Sequence, residues 1–247
     1  MSLISAGLCD IGKKRKTNQD AIYLNPQKKL FIVADGMGGH QGGDVASAMA
    51  VKYIPEYFLT KEMKNPVTDL KAAIMAANLK ISEKSEEDKK FTGMGTTVVS
   101  LFFKGPSLYI SNVGDSRAYL VNRHKIYQLS KDHSMVQEKI NIGIYTREQA
   151  SADSQKNVLT RSLGPENDLE IDIFQYQVCK NDLFILCSDG MHGKINDEDL
   201  IYLINREIPH IEKAKVKDLK KTAQRIVALA NKNGGDDNIS VILVLAQ

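Results

Sequence analysis

FIVADGMGGHQGGDVAS, at residues 31–47, joins an apolar run to a glycine-rich turn and then to the start of a helix. We predict that the run is a strand and that it delivers Asp35 into the turn, where glycines let the backbone approach a ligand closely. A dinucleotide-binding loop has the same order of strand, glycines and helix, but the third glycine of its pattern would fall on Gln41. In a dinucleotide-binding motif the acidic residue also follows the glycines by about 20 residues, whereas Asp35 precedes them. The stretch therefore favours a carboxylate at a strand end.

Four other aspartates lie beside glycine, asparagine or serine in short polar breaks. They are Asp20 in RKTNQD, Asp115 in ISNVGDSRAYL, Asp189 in LFILCSDG and Asp237 in GGDDNISVILVL. A sheet can gather such strand ends, and two unit charges about 4 Å apart repel by roughly 4 kcal/mol at an effective dielectric of 20. A cluster of this kind requires divalent cations, and oxygen-only ligands favour Mg²⁺ or Mn²⁺ over Zn²⁺. A pair of these ions is suited to splitting phosphate esters.

The strand-like runs occur in blocks and do not alternate regularly with helices. We predict strands over residues 3–9, 21–24, 30–34, 96–103, 107–112, 117–122, 126–129, 170–177, 182–187 and 239–246, and helices over about 44–58, 67–85, 197–207 and 215–232. Residues 96–129 have the pattern of an antiparallel meander, which favours an α+β layered domain over a doubly wound parallel sheet. Residues 135–157 are polar, with a helix signal at 146–149, and we predict a mobile excursion there.

Composition narrows the class of protein. The chain has 247 residues and a formal net charge of +3. No linker or repeat divides it, so we predict one domain over residues 1–247, and the small charge gives no argument for nucleic acid. Three cysteines without paired spacing are interpreted as small buried residues in a reducing compartment: Cys9, Cys179 and Cys187. No run approaches the roughly 18 apolar residues of a membrane span, and no signal peptide is visible, so we expect a cytoplasmic location and no membrane partner.

Eight short motifs follow one another in a specific order: RKTNQD, VADGMGGH, GTT at 95–97, NVGDSRAYL, SKDHS, LTRSLG, CSDG and GDDNIS. The series resembles the bacterial branch of the PPM-type (type 2C) metal-dependent protein serine/threonine phosphatases, from about residue 7 to residue 244. The resemblance implies a β-sandwich of two antiparallel sheets flanked by α-helices on both sides, in a four-layer α-β-β-α arrangement. It also implies a flap subdomain beside the active site, at about residues 134–159.

The resemblance also implies ligands for two core cations and a third, weaker site. Asp35 resembles the carboxylate that bridges the core cations, and the other ligands are Asp189 and Asp237 on the first, the Gly36 carbonyl and Asp20 (through water) on the second, and Asp115 with Asp189 on the third. Many family members carry glutamate where this chain has Gln19. The second cation would therefore have one fewer negative neighbour.

Two further residues resemble the family's catalytic groups. Arg15 resembles the arginine that binds the substrate phosphate, and its planar, two-pronged donor suits phosphate oxygens. His40 is similar to the histidine proposed as general acid, and it titrates near neutrality. The implied reaction is hydrolysis of phosphoserine and phosphothreonine in proteins by direct attack of a metal-bridging hydroxide. We expect phosphoprotein substrates, a partner Ser/Thr kinase and a monomer.

Three other functions remain as alternatives. A pseudophosphatase would bind phosphoproteins without turnover, although the full set of carboxylates argues against it. A cysteine-nucleophile phosphatase would use Cys9 and Arg15, which have C-x5-R spacing. A metal-dependent nuclease would need a basic groove with interleaved aromatic residues, and no such stretch is visible.

Several polar residues in the motifs are interpreted as structural. We expect Arg117 and Arg161 to form ion pairs or turn anchors, and Asp132 to lie in a turn. Asp236 competes with Asp237 for the ligand role, and only the D-N-x-S register favours the latter. Lone histidines and loop asparagines are expected to brace the fold, and they are His124, His133, His192, His210, Asn18, Asn112 and Asn238.

Overall fold

The computed structural model describes residues 1–38, 42–60, 64–166 and 168–247. The strands in these ranges are β1 (Leu3–Asp10), β2 (Asp20–Asn25), β3 (Leu30–Met37), β4 (Gly95–Thr96), β5 (Val98–Lys104), β6 (Ser107–Val113), β7 (Arg117–Asn122), β8 (Lys125–Gln128), β9 (Asp172–Gln177), β10 (Leu183–Cys187) and β11 (Ile239–Ala246). The helices are α1 (Gly43–Thr60), α2 (Pro66–Glu87), α3 (Met135–Asn141), α4 (Arg147–Ala152), α5 (Asp189–His192), α6 (Asp197–Glu207) and α7 (Val216–Lys232).

The described strands form two antiparallel sheets. One sheet has the order β1-β11-β10-β7-β8, and the other has the order β2-β3-β5-β6-β9, with β4 paired to β3. The predicted meander over residues 96–129 is therefore wrong in one respect, because β5 and β6 belong to one sheet and β7 and β8 to the other. The chain changes sheets at Gly114, whose φ of +99° suits glycine.

The strands alternate between two apolar layers, since successive side chains of a strand point to opposite faces. In β3, Phe31 and Val33 lie between the sheets, whereas Leu30 and Ile32 face α1 and α2. The same alternation in β10 and β11 divides their side chains between the inter-sheet layer and the layer beneath α6 and α7. Helices thus cover both outer faces, which confirms the predicted four-layer sandwich.

Aromatic residues of the inter-sheet layer pack against one another within and between the two sheets. Phe103 packs edge-on against Phe31 in its own sheet and against Phe184 of the other, with ring centroids 6.0 and 5.5 Å apart. Edge-to-face pairs of this kind contribute about 0.5–1.5 kcal/mol beyond the area they bury. The sandwich therefore holds the ends of both sheets in fixed relation.

Residues 134–159 form an excursion that carries α3 and α4. A bridge between Ser134 and Leu159 closes its base. The helix signal at 146–149 is confirmed, because Thr146 and Gln149 form a reciprocal capping box at the start of α4. The weak periodicity of the segment had given no sign of α3.

The cysteine prediction is only partly correct. Cys187 is buried and Cys9 has intermediate exposure, but Cys179 is exposed. Cys179 lies in the turn between β9 and β10, where its N–H donates to Asp182 at 2.8 Å. Because Cys179 is held in the turn through its main-chain N–H, its side chain can be exposed. As a separate finding, no helix within the described ranges has the length and apolar character needed to cross a membrane.

Candidate functional site

Five aspartates approach one another at one end of the sandwich, and we call them the acidic cluster: Asp20, Asp35, Asp115, Asp189 and Asp237. Two of them come from one sheet, because β2 and β3 pair in a register that sets Asp20 opposite Asp35. Asp189 follows β10 and Asp237 precedes β11, which are neighbours in the other sheet. Asp115 lies in the turn where the chain crosses between the sheets. The sequence expectation of carboxylates gathered from distant strand ends therefore matches the geometry.

The carboxylates of the cluster raise one another's pKa. Burial, and then the charges of Asp189 and Asp237, raise the pKa of Asp20 from an ordinary value near 3.8 to about 7, against opposing hydrogen bonds from two serines. Burial and then Asp20 raise the pKa of Asp35 well above its ordinary value. Burial and then Asp189 do the same for Asp115, and burial and then Asp237 raise the pKa of Asp189. The cluster resists full ionisation unless positive charge enters it.

Asp20 shows most directly that a cation fits here. Its Oδ2 accepts a 2.7 Å hydrogen bond from Ser188 Oγ, but its Oδ1 is buried without a hydrogen-bond partner. A buried carboxylate oxygen without a partner is costly, and a water bound to a cation would satisfy it. Across the ranges that the structure describes, no three His, Cys, Asp or Glu side chains already form a group that could hold a metal ion. The support for a cation at this position is therefore the buried oxygen without a partner and the raised pKa values, not a preformed set of ligands.

Gly36 is held in a position that no other residue could take. A Cβ at Gly36 would lie 1.9 Å from the carbonyl oxygen of Gly43, because the first turn of α1 packs directly on this backbone. Gly36 N–H also donates to the carbonyl of Gln19 at 3.0 Å. These contacts fix the backbone beside Asp35, and the role of the Gly36 carbonyl as a ligand stays a prediction.

Arg15 stands at the solvent side of the acidic cluster. Its Nη2 donates to Asp237 Oδ2 at 2.6 Å, and about half of its side chain is exposed. The hydrogen bond to Asp237, with further contributions from the charges of Asp189 and Asp35, raises the pKa of Arg15. A guanidinium in this position can meet an anion that arrives from solvent while it remains beside the carboxylates.

His40, the predicted general acid, lies outside the described residues. It follows Gly38, the last described residue of the turn, and precedes Gly42, where the description resumes. Its role stays a prediction.

The GTT motif holds Asp35 in place. Thr97 N–H and Thr96 Oγ1 donate to the Asp35 carbonyl at 2.8 and 2.9 Å, and Asp35 N–H donates to Thr97 Oγ1 at 3.0 Å. Thr97 Oγ1 also lies 2.7 Å from Ser116 Oγ, next to Asp115. Sequence reasoning missed these hydroxyl residues, and the available signal was their place inside motifs that also carry the aspartates.

A second brace involves the CSDG and GDDNIS motifs. Ser188 Oγ, which donates to Asp20, also accepts a 3.0 Å hydrogen bond from Ser240 N–H. One hydroxyl therefore joins β2 of one sheet to β10 and β11 of the other. Sequence reasoning had assigned no role to Ser188.

The turn that carries Asp115 is braced by two histidines. Gly114 N–H donates to His133 Nδ1 at 3.2 Å, and His133 N–H donates to the Gly114 carbonyl at 2.9 Å. On the other side, His192 Nε2 lies 3.0 Å from the Asp115 carbonyl. Burial lowers the pKa of both imidazoles, which favours their neutral forms. Both histidines brace this turn, as predicted.

Asp236 and Asp237 occupy different environments although they are adjacent. Asp236 pairs with Lys14 at 2.5 Å and with Lys194, and these partners lower its pKa to about 2. Asp237 faces Arg15 and the acidic cluster instead. The geometry therefore favours Asp237 as the ligand. The next residue, Asn238, braces the β1–β2 loop by donating to two of its carbonyls at 2.9 and 3.0 Å.

The two motif arginines form ion pairs, as expected. Arg117 Nη2 lies 2.7 Å from Asp132 Oδ2, and this partner is buried rather than a simple turn residue. Arg161 contacts Asp172 at 3.1 Å and Glu170 at 2.7 Å. Both guanidinium groups are thus occupied by carboxylates.

The surroundings of Cys9 argue against a cysteine nucleophile. Its Sγ accepts hydrogen bonds from Asn18 Nδ2 and Ser240 Oγ, each at 3.0 Å. Burial, with a contribution from the charge of Asp20, nevertheless raises the pKa of this thiol. A nucleophilic cysteine requires a lowered pKa.

Comparisons with known proteins give a consistent result. A family model described as "Protein phosphatase 2C" matches residues 12–228. A "Serine/threonine phosphatase stp" of Listeria monocytogenes is 37% identical over 244 residues, which cover 95% of this chain and 92% of that protein. The crystal structure of the Mycobacterium tuberculosis serine/threonine phosphatase PstP/Ppp superimposes with a TM-score of 0.89 at 29% identity, over the full length of both chains. The PstP catalytic domain in complex with two manganese ions has a TM-score of 0.85 at 30% identity, over 98% of this chain and 97% of that one.

Proposed function

Because this chain belongs to the protein phosphatase 2C family, we propose that it hydrolyses phosphoserine and phosphothreonine in proteins by direct attack of water on phosphorus, without a phosphoenzyme. The recognition of the family from its motifs is confirmed, and the chain is a metal-dependent protein serine/threonine phosphatase. The mechanism, the individual ligands and the choice between Mg²⁺ and Mn²⁺ belong to the proposal.

The convergence of the acidic cluster is the observation that carries the mechanism. Five carboxylates from separate parts of the chain meet where the two sheets end, and burial and mutual repulsion raise the pKa of four of them. Such an arrangement is unfavourable for a structural site, because hydrophobic residues would fill the same space at lower cost. It is favourable for a site that receives divalent cations.

We propose that the acidic cluster holds two core cations and a third, weaker one. Asp35 would contribute to both core cations, and the remaining ligands would be Asp189 and Asp237 for the first, the Gly36 carbonyl and Asp20 (through water) for the second, and Asp115 with Asp189 for the third. When bound, the cations supply a water of lowered pKa as the nucleophile. The orphaned Oδ1 of Asp20 supports this use of the cluster.

The chain's own residues orient the substrate. Arg15 is half exposed, and only its Nη2 is committed to Asp237, so the other N–H groups can bind phosphate oxygens. We propose His40 as the general acid that protonates the departing serine or threonine oxygen. The threonine and serine hydroxyl groups around Asp35 and Asp20 keep the carboxylates in place while charge develops.

We further propose the substrates, the partner, the location and the domain organisation of this chain. The substrates are phosphoproteins, a Ser/Thr kinase writes the marks that this chain removes, and the chain acts as a monomer in the cytoplasm without nucleic acid or membrane. Residues 1–247 form one catalytic domain, and residues 134–159 act as its flap.

Turnover of a phosphothreonine peptide with Mn²⁺ tests the proposal. We expect release of phosphate, its loss on addition of EDTA, and a decrease of about a hundredfold or more in kcat for Asp35→Asn. Asp236→Asn is the matched control, because this adjacent carboxylate pairs with lysines outside the cluster. Cys9→Ser should retain turnover.

Two results would contradict the mechanism. One is full turnover after every cation has been chelated, and the other is wild-type kcat in a folded Asp35→Asn variant. An oligonucleotide substrate run in parallel distinguishes a nuclease, and peptide binding without any turnover distinguishes a pseudophosphatase.

A further inference from the structure

A cavity of about 710 Å³ lies at the end of β7 and β10 that is remote from the acidic cluster, and we call it the distal cavity. The turn between β7 and β8, the turn between β9 and β10, and the residues around the end of α6 line it. The five residues of β10 that separate the two sites span about 13 Å. The distal cavity is therefore a separate feature.

The distal cavity has an apolar floor and a basic rim. Ile204, Ile208 and Ile211 contribute to the floor, and Arg123, Lys125 and Lys180 are exposed at the rim. Within the described chain, none of these three cations has an ion-pair partner. The acidic residue of the lining, Glu212, lies 3.6 Å from His210 and offsets one of the three positive charges. The rim thus keeps a net positive charge.

The turn between β7 and β8 adopts an unfavourable backbone that points to a use for its side chains. Asn122 pairs with Lys125, so Arg123 and His124 are the two turn residues, and their φ values are +47° and +63°. A turn with two positive φ angles prefers Asn-Gly, because neither arginine nor histidine adopts this region readily. His124 Nδ1 lies 3.0 Å from Asn205 Oδ1, which ties the turn to α6. The turn therefore holds an arginine and a histidine beside the cavity in place of the residues that its geometry favours.

We propose that the distal cavity binds an acidic segment of the phosphoprotein substrate, at a distance from the phosphorylated residue. An apolar side chain of the segment packs on the isoleucine floor, and its carboxylates face Arg123, Lys125 and Lys180. Tyr127, which is 49% exposed and also lines the cavity, is the type of residue that anchors protein interfaces. The proposal rests on the proposed function, since the occupant is a part of the substrate.

The exposed Cys179 allows a binding test that does not depend on catalysis. It lines the distal cavity, whereas Cys187 is buried and Cys9 is partly buried. A phosphate-free peptide of alternating glutamate and leucine should slow maleimide labelling of Cys179, and 1 M salt should remove the protection because it screens the rim charges. Cys179→Ser identifies the labelled site. Unchanged labelling at saturating peptide would overturn the proposal, as would protection by an oligonucleotide and not by the peptide.

Charge reversal tests the rim directly. Lys125→Glu with Lys180→Glu should weaken peptide binding about tenfold, which lies within the range of about two- to thirtyfold that two exposed ion pairs contribute, and reversal adds repulsion. Lys71→Glu with Lys89→Glu makes the same change of net charge on the side of α2 and its following turn, and it should leave binding unchanged. Equal losses in the two pairs would mean that only net charge matters, and the proposal would fail.

The turn offers a variant in which binding and stability change in opposite directions. Arg123→Asn with His124→Gly supplies the sequence that the backbone prefers, so we expect a higher melting temperature together with weaker peptide binding. A structural role for the two side chains predicts a lower melting temperature instead. That result, with peptide binding intact, would overturn the proposal.

Turnover then separates failure of the proposal from failure of the proposed function. A phosphothreonine peptide joined to the acidic segment by a 12-residue spacer should have a KM about tenfold below that of the same peptide without the segment. A two-residue spacer reaches at most about 7 Å and should give no gain. Hydrolysis of p-nitrophenyl phosphate should be equal in all rim variants. If both peptides are hydrolysed with the same KM, the docking proposal alone is refuted. If neither the peptide nor p-nitrophenyl phosphate is hydrolysed, the proposed function is refuted.

Discussion

Replacement of Asp20 by asparagine is expected to stabilise the metal-free protein and to weaken the metal-bound one. The carboxylate of Asp20 is buried, its Oδ1 has no hydrogen-bond partner, and other carboxylates surround it. Asparagine has nearly the same shape without the charge. Its carbonyl can still accept the hydrogen bond from Ser188, and its amide can donate to a neighbouring carboxylate. The metal-free variant therefore loses repulsion, while the loaded variant loses a ligand.

The magnitude follows from the pKa. Burial and neighbouring charges raise the pKa of Asp20 to about 7 from an ordinary value near 3.8, so its folded form takes up protons more readily than its unfolded form. A raised folded-state pKa means that the free energy of unfolding is highest at low pH and falls as pH rises through about 7. At about 1.36 kcal/mol per pKa unit, this single group lowers the free energy of unfolding by about 2–3 kcal/mol between pH 5 and pH 8. The Asp20→Asn variant lacks that decrease.

Urea unfolding in EDTA at pH 5 and pH 8 measures the effect. We expect the difference in unfolding free energy between the variant and the wild type to grow by about 2–3 kcal/mol from pH 5 to pH 8. Added Mn²⁺ should reverse the order at pH 8, because stabilisation by a bound cation grows with its affinity.

Asp236→Asn is the control for this experiment. Lys14 and Lys194 lower the pKa of Asp236 to about 2, so its removal should reduce stability at neutral pH and should never increase it. A metal-free Asp20→Asn protein that is less stable than wild type at pH 8 would refute the reasoning. It would mean that Asp20 is compensated by a positive charge nearby and is not in a strained acidic cluster.

The remaining predictions concern the leaving group and the buried ion pair. His40→Ala should reduce kcat for phosphothreonine peptides more than for p-nitrophenyl phosphate, because an aryl oxide leaves without a proton, and equal losses would exclude an acid role. Asp132→Ala should lower the unfolding free energy by about 3 kcal/mol in chemical denaturation, because it leaves the partly buried Arg117 without its buried partner. Glu83→Ala breaks an exposed pair with Lys80 and should change little. Similar effects of these two substitutions would show that the Arg117 pair is solvated.

Local patterns in the sequence predicted an α+β layered domain, and the four-layer arrangement came from the family resemblance. Residues 30–34 and 239–246 are nearly unbroken apolar runs, as expected of strands that are buried on both faces, and the helix stripes supply the outer covers. Sheet membership of β7 and β8 has no such local cause. It depends on where Gly114 redirects the chain, and alternation is the same whichever sheet a strand joins.

Short elements were missed for a related reason. The four residues of α5 make barely one turn, so no apolar periodicity exists to detect. β4 has two residues and belongs to the run that was predicted as one longer strand. Cys179 was predicted to be buried because its neighbours in sequence are apolar. In the structure it lies in the β9–β10 turn, where its main-chain N–H donates to Asp182 and its side chain is exposed.

The residues of the candidate site also fall into those that the sequence could predict and those that it could not. Each aspartate of the acidic cluster could be found because it stands beside its own strand end and turn residue. The hydroxyl groups that hold them could not, because Thr97 reaches Asp35 across 62 positions and Ser188 reaches Asp20 across 168. Only the folded sandwich brings those partners together, and a single sequence contains no record of pairs so far apart.

The two strands β7 and β10 connect the acidic cluster to the distal cavity, and this gives the docking proposal a length scale. β10 spans about 13 Å, and a flexible spacer of six to twelve residues has an r.m.s. length of about 14 to 19 Å. A segment docked at the cavity would therefore hold the phosphorylated residue near the acidic cluster at an effective concentration in the millimolar range. Because paired strands in a packed sandwich do not change length, the spacing is a fixed property of the fold. Substrate selection can then depend on the distance between acidic segment and phosphate, while the chemistry at the acidic cluster stays the same for every substrate.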